Sequence, residues 1–245
     1  GLTRVISIGG DGTNHSLINA LVAHNDKHPD APQMVYGMLP VGTGRDWARS
    51  VGIPFDIQSA AKWIATASPQ DVDVGEVTID QHSTYFLNVA SVGISGEVVT
   101  RVEKAKRRPW TFLQATLRTL INYKPPQLTI RMDGENWYEG TSYLLAVANG
   151  TTFGRGMKIA PSADINDGLF DVILVEGMSK LKAVDALRRV YDGSHLDVDQ
   201  IHHRRTSNLD IIAGNHTLGM ELDGEFAQGN ILGFKLRQGL LKLLV

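Results

Sequence analysis

The 245-residue chain is 42% hydrophobic and 20% charged, apolar enough for one large domain or two of ordinary size. A net charge of −2 gives no overall electrostatic reason to bind nucleic acid, and the absence of cysteine excludes disulfides and thiolate metal sites. No apolar run approaches the length of a membrane span, so neither a transmembrane segment nor a signal peptide is expected.

The first predicted element is a strand over 4–8 containing Val5-Ile6-Ser7-Ile8, followed by Gly9-Gly10-Asp11-Gly12-Thr13 and a helix over 13–25. Leu17, Ile18, Leu21 and Val22 recur one turn apart and form one apolar face. Glycines let a backbone approach an anion closely, and a helix N-terminus adds unpaired N–H groups and a positive dipole end. Thr13 is placed to cap the helix, and Asp11 puts a carboxylate within reach of a metal or a hydroxyl. The alternative is an ordinary glycine-rich turn in which Asp11 bonds its own backbone. A second strand, over 34–39, leads to Gly42-Thr43-Gly44 and a helix over 45–51 with Asp46 in its first turn. Turns that follow neighbouring parallel strands share one sheet edge, where open α/β sheets bind ligands. A helix over 57–66 completes the alternation.

Near Asp71-Val72-Asp73-Val74-Gly75 the pattern changes to strands, predicted over 74–80, 84–92, 127–132, 142–149, 170–175, 208–213, 217–222 and 231–244. The fold class is therefore α/β plus β. A parallel-sheet, three-layer domain over 1–72 precedes an antiparallel β-sandwich-like domain over 73–245 with inserted helices. Those helices are expected over 95–122, broken at Pro109, and over 179–191. In the first, Trp110, Phe112, Leu113, Leu117, Leu120 and Ile121 either pack on the sandwich or line an acyl pocket. Arg101, Lys104, Lys106, Arg107 and Arg108 read as a solvated helix face or a contact for anionic headgroups. His202-His203-Arg204-Arg205 reads as an exposed loop, and Asp223-Gly224 as a hairpin turn flanked by carboxylates.

The first turn, Leu39-Pro40-x-Gly42-Thr43-Gly44-x-Asp46, Asn149-Gly150 and Phe153-Gly154-x-Gly156-Met157 form the first part of an ordered series. Ala160-Pro161, Asn166-Asp167-Gly168-Leu169-Phe170-Asp171 and Leu222-Asp223-Gly224-Glu225 continue it over nearly the whole chain. Together they resemble the diacylglycerol kinase catalytic-domain family, which includes bacterial lipid kinases and sphingoid-base kinases. The resemblance implies a lipid kinase that transfers a phosphoryl group from ATP, with Mg²⁺, to a hydroxyl of a diacylglycerol-like or sphingoid-type lipid. It implies a nucleotide site on Gly9, Gly10, Asp11, Gly12, Thr13, Gly42, Thr43, Gly44 and Asp46. Asp223 and Glu225 are implied to activate the hydroxyl, with Asp11 organising Mg²⁺ or serving as an additional candidate base. A structural Mg²⁺ is implied on the Asp167 carboxylate and the carbonyls of Asp164 and Leu169, against the reading of a plain Asn-Asp-Gly turn.

As partners the resemblance implies ATP and a lipid at a membrane surface, with no nucleic acid. It places the enzyme in the cytoplasm in peripheral contact with a membrane and allows a homodimer. The family's earlier strand and small-residue turn are missing, so an N-terminally incomplete chain is expected. Asn14, His15 and Ser16 stand where the family carries an apolar residue, Asn and Glu, and Arg45 stands where it carries Asn. A NAD kinase, which shares the first turn, and a non-catalytic lipid- or nucleotide-binding regulator are the competing readings. No Gly-x4-Gly-Lys-Ser/Thr sequence is present, which excludes a P-loop enzyme.

Overall fold

A computed structural model describes residues 3–103, 111–214 and 216–245. Lys104 to Trp110, and with them most of the basic cluster, Pro109 and the first aromatic of the following helix, lie outside the described residues, as do the side chains of Phe112 and Leu113.

The N-terminal region alternates as expected: β1 (Arg4–Gly9), α1 (Asp11–Lys27), β2 (Val35–Pro40), α2 (Asp46–Ser50) and α3 (Ile57–Thr66). β1 and β2 are parallel, in register from Arg4 opposite Val35 to Gly9 opposite Pro40. Both glycine turns therefore leave the same edge of the sheet. Ile18, Leu21 and Val22 of α1 pack with Tyr36, Met38 and Trp47 in a buried cluster. α1 begins at Asp11, two residues earlier than expected, and Gly10 is its extended N-cap. Thr13 lies inside the first turn and does not cap. The Asp56 Oδ2 caps α3 by accepting the Ser59 N–H at 2.8 Å.

β3 (Pro69–Ile79) runs unbroken through residues 72 and 73 and pairs antiparallel with both β4 (His82–Phe86) and β13 (Ile231–Leu244). The far end of β13, at Lys242 and Leu243, lies parallel to β2. The last residues of the chain thus join the N-terminal sheet. On its other side β13 continues through β10 (Asn208–Ile212) and β6 (Gln127–Met132) to the first half of β7 (Glu135–Ala148). The second half of β7 enters a second antiparallel sheet between β5 (Val89–Gly93) and β8 (Phe170–Glu176). β9 (Ile201–Thr206) extends that sheet beside β8, and β11 (Leu218–Leu222) with β12 (Glu225–Gly229) extends it beside β5. Helices α4 (Ile94–Glu103), α5 (Thr111–Asn122) and α6 (Lys180–Arg189) are the inserted helices.

Two expectations are corrected. The strand expected over 84–92 is two strands in different sheets, separated at Leu87 and Asn88, where the Asp223 carboxylate takes both N–H groups and also accepts that of Val89, the first residue of β5. Residues 202–205, expected as a loop, lie in β9. Its charged side chains suit an edge strand: His203 Nε2 meets Asp171 Oδ1 at 2.6 Å, and Arg205 pairs with Asp167.

The sandwich core centres on Phe86, which stacks on Phe170 with ring centroids 5.8 Å apart and meets Phe234 edge-on at 6.3 Å. Phe86→Ala should destabilise the fold by about 3–5 kcal/mol, measured by urea unfolding, because the rings around it cannot collapse into the vacated space.

Candidate functional site

The two glycine turns touch. A Cβ on Gly10 would lie 3.1 Å from the Gly42 Cα, and one on Gly42 would overlap the Gly10 Cα. Val41 donates its N–H to the Gly9 carbonyl at 3.1 Å. Side chains larger than hydrogen at Gly10 or Gly42 would force the turns apart. The N-terminus of α1 opens beside this contact, so its first N–H groups are available to an anion.

Asp11 links the turns electrostatically. Its Oδ1 accepts the Trp47 N–H at 3.2 Å and its Oδ2 the Asp46 N–H at 3.4 Å. Burial raises its pKa, with the Asp223 charge adding to the rise and those N–H groups opposing it. The Asp46 carboxylate ties the second turn to the next loop, accepting the Arg155 N–H, the Gly156 N–H and Arg49 Nη1, each at 2.7 Å. Burial pushes Asp46 up to about 6 against those bonds, with the Asp11 charge contributing. Arg45 sits in the left-handed region at φ 58°. Its Nε donates to the Gly42 carbonyl at 2.7 Å, and its guanidinium lies over the Phe55 ring, so it braces the turn from outside the cleft.

The late acidic turn comes from a distant part of the chain and lies against the same cleft. Asp223 and Gly224 are the two central residues of the β11–β12 hairpin, both with positive φ, which is type I′ geometry. The hairpin reading and the carboxylate reading are thus compatible. Asp223 accepts N–H groups from Leu87 at 2.8 Å, Asn88 at 2.9 Å and Val89 at 3.3 Å. His15 Nδ1 approaches its Oδ2 at 3.5 Å. Burial pulls the His15 imidazole down, but the Asp223 carboxylate, with help from Glu225, carries it above its ordinary value. Glu225 stands over the start of α1: a Cβ on Gly12 would collide with its Oε1. Among the described residues its carboxylate has no hydrogen-bond partner.

Sequence reasoning missed Glu221. It is buried in β11, accepting the Ser91 hydroxyl at 2.8 Å and the Gly224 N–H at 2.7 Å. Burial pushes it up to about 7, with the Asp223 and Asp46 charges adding to the rise. The only sequence signal was a carboxylate between two apolar residues, Met220 and Leu222. Asn88 was also missed: its side chain accepts the Ser50 hydroxyl at 2.9 Å and donates to the Thr152 carbonyl at 2.7 Å, joining the two halves of the cleft.

The cleft that gathers these groups has a volume of about 580 Å³ and is lined by both glycine turns, Asp11, Asp46, Asp223 and Glu225. Beside it lies an apolar cavity of about 110 Å³ between α4, α5, α6 and the second sheet. Val99, Phe153 and Glu221 line both spaces. Leu120 is buried toward the cavity, whereas Ile121 is exposed.

Five carboxylates in one cleft create a demand for positive charge. Among the described residues no three acidic or histidine side chains converge tightly enough to hold a metal ion by themselves. Mg²⁺ typically uses one or two carboxylates, waters and substrate phosphates, and Asp11 beside the two glycine turns fits that donor set. The Asp164–Leu169 loop fits a resident cation less well. Its Asp167 carboxylate is paired with Arg205 and accepts the Leu169 N–H at 3.0 Å, and Asp164 accepts the Asn166 N–H at 3.3 Å. A cation there would compete with the Arg205 guanidinium.

The raised carboxyls predict a pH dependence. Asp46 rises from 3.8 to about 6 and Glu221 from 4.5 to about 7, so between these limits the native state binds more protons than the unfolded one. Their contribution to stability is therefore lost as pH rises from about 4 to about 7. Thermal unfolding across that range should show it, and Glu221→Gln should flatten its upper half.

Two family models match the chain: "Diacylglycerol kinase catalytic domain" over residues 1–77 and "YegS C-terminal NAD kinase beta sandwich-like domain" over residues 88–245. A Klebsiella pneumoniae protein named "Probable lipid kinase YegS-like" is 30% identical over 241 residues, 97% of this chain and 76% of that protein. The "Diacylglycerol kinase" of Bacillus subtilis is 27% identical over 226 residues, 91% of this chain and 71% of that one. Among solved structures, a diacylglycerol kinase of Bacillus anthracis superposes with a TM-score of 0.70 at 21% identity, covering 99% of this chain and 76% of that chain. Yeast NADH kinase complexed with NADH superposes with a TM-score of 0.53 at 13% identity, covering 98% and 60%. At these identities the structural likenesses concern the fold alone.

Proposed function

The chain belongs to the YegS and diacylglycerol kinase family of lipid kinases, and from that premise we propose that it transfers the γ-phosphoryl group of ATP to a hydroxyl of a diacylglycerol-like or sphingoid-type lipid. The observation that carries this reading is the shared wall. A polar cleft with two glycine turns and an acidic hairpin opens against an apolar cavity, so a polyphosphate and a lipid alcohol could meet there. The likeness to yeast NADH kinase extends to the fold, and the apolar cavity favours the lipid acceptor over a nucleotide one.

In this reading the N–H groups of the two turns and the α1 N-terminus hold the phosphates. Mg²⁺ near Asp11, when bound, offsets the charge of the polyphosphate and of the surrounding carboxylates. Glu225 takes the proton of the lipid hydroxyl as its oxygen attacks the γ-phosphorus and ADP leaves. Asp223, its oxygens committed to three N–H groups, fixes the hairpin that carries Glu225. The cavity of about 110 Å³ is smaller than the ~150 Å³ that accommodates benzene, so a whole acyl chain requires α4, α5 and α6 to part.

A total lipid extract incubated with labelled ATP and Mg²⁺ tests the reading, with products identified by mass. A phosphorylated lipid is expected, and a protein that labels none would overturn it. The structural cation has its own test: Arg205→Ala should make thermal stability rise with added Mg²⁺, because the vacated Asp167 carboxylate then seeks another cation. No Mg²⁺ response would argue against any cation at that loop.

A further inference from the structure

We propose that Glu221 is a specificity-determining residue that accepts a hydrogen bond from a donor group on the lipid carbon next to the phosphorylated hydroxyl. The enzyme would then prefer lipids with a hydroxyl or ammonium at that position over fully esterified diacylglycerol. The inference rests on the lipid-kinase reading and narrows its substrate class.

Geometry carries the argument. Glu221 is the one carboxylate among the described residues that borders both the polar cleft and the apolar cavity. A lipid whose hydroxyl reaches Glu225 and whose chain enters the cavity must pass the wall made by Val99, Phe153 and Glu221. In the proposed pose the carbon next to the accepted hydroxyl lies at that passage. Ser91 and Gly224 use one acceptor position on each Glu221 oxygen, whereas a carboxylate offers about four in all. In its ionised form, a buried carboxylate half-satisfied in this way favours an incoming donor and disfavours an ester oxygen, which would set acceptor against acceptor. Burial also raises its proton affinity, so an ammonium beside it would hold it ionised. Its bonds to Ser91 and Gly224 brace the hairpin, and they leave the rest of its acceptor capacity toward the passage.

Three lipids of matched chain length separate the donor types. A 1-monoacylglycerol presents a hydroxyl, a 2-amino-1-alkanol presents an ammonium, and a 1,2-diacylglycerol presents an ester. Wild-type kcat/KM should favour the first two by about tenfold or more, the scale of a buried polar group left unpaired. Glu221→Gln should reduce the preference for the ammonium lipid about tenfold while leaving the KM for ATP unchanged. The monoacylglycerol preference should fall less, since an amide oxygen still accepts. Ser91→Ala, which frees an acceptor position without changing charge, should keep or enlarge both preferences, and it serves as the second variant where Glu221→Gln fails to fold. Equal efficiency on all three lipids, or a Ser91→Ala protein that loses both preferences, would overturn the proposal. Binding of the same lipids, presented in phosphatidylcholine vesicles without ATP, is measured in parallel. Should no lipid be phosphorylated, the kinase reading fails, and the binding series decides this proposal. Donor-selective binding that Glu221→Gln weakens upholds it, and indifferent binding overturns it.

Discussion

Glu225→Gln should lower kcat by about 10²–10⁴-fold and leave the KM for ATP nearly unchanged, since in the proposed mechanism the residue acts on the alcohol and not on the nucleotide. Glu225 is exposed at the start of β12, has no hydrogen-bond partner among the described residues, and stands over Gly12 at the opening of α1. A base must be free to accept a proton, and this carboxylate is. Asp223 is in a different position. Its oxygens already take three N–H groups, and an amide there would turn a donor toward a donor. Asp223→Asn is therefore expected to cost about 1–3 kcal/mol of stability along with turnover, as the hairpin loses its anchor on residues 87–89. Steady-state kinetics beside denaturant unfolding separate the two effects. If Glu225→Gln keeps near-normal turnover on the true lipid, the late turn is structural, and Asp11 becomes the leading base.

Gly10→Val should abolish measurable ATP binding while the protein stays folded. The Gly10 Cβ direction leads 3.1 Å away to the Gly42 backbone, and the branched carbons of valine extend beyond it. Backbone cannot rotate aside as a flexible side chain can, so the turns must separate, and the two sets of N–H groups proposed to hold the phosphates move apart. The hydrophobic cluster beneath, with Ile18, Tyr36 and Trp47, is untouched, and the far-ultraviolet spectrum should therefore be unchanged. Equilibrium binding of ATP with Mg²⁺ gives the answer. Unchanged affinity in the folded variant would remove the nucleotide from between the turns.

The alternation of strand and helix, the parallel first pair and the antiparallel character of the later strands were all legible in the sequence. Each follows from local rules: an apolar face repeats every turn in α1, and glycine punctuates the ends of β1 and β2. The motif order was equally legible, and it led to the family. Local rules stopped short at elements whose form is set by distant partners. β9 reads as a polar loop because its charges are matched by Asp167 and Asp171 on the neighbouring strand and its loop. The 84–92 segment reads as one strand because the carboxylate that interrupts it is Asp223, well over 100 residues away.

Periodicity and glycine placement act over a few residues, so the strand–helix alternation and the two glycine turns could be read from the chain alone. Which acidic groups share the cleft, and how each is engaged, follows only from the assembled fold. Asp223 and Glu225 carry the same charge, two residues apart, yet one is bound by three N–H groups and the other is open. The assembled fold also places Glu221 between a polar and an apolar space. Burial, field and hydrogen-bond supply belong to the assembled surroundings of a side chain, and strands brought together from opposite ends of the chain create them.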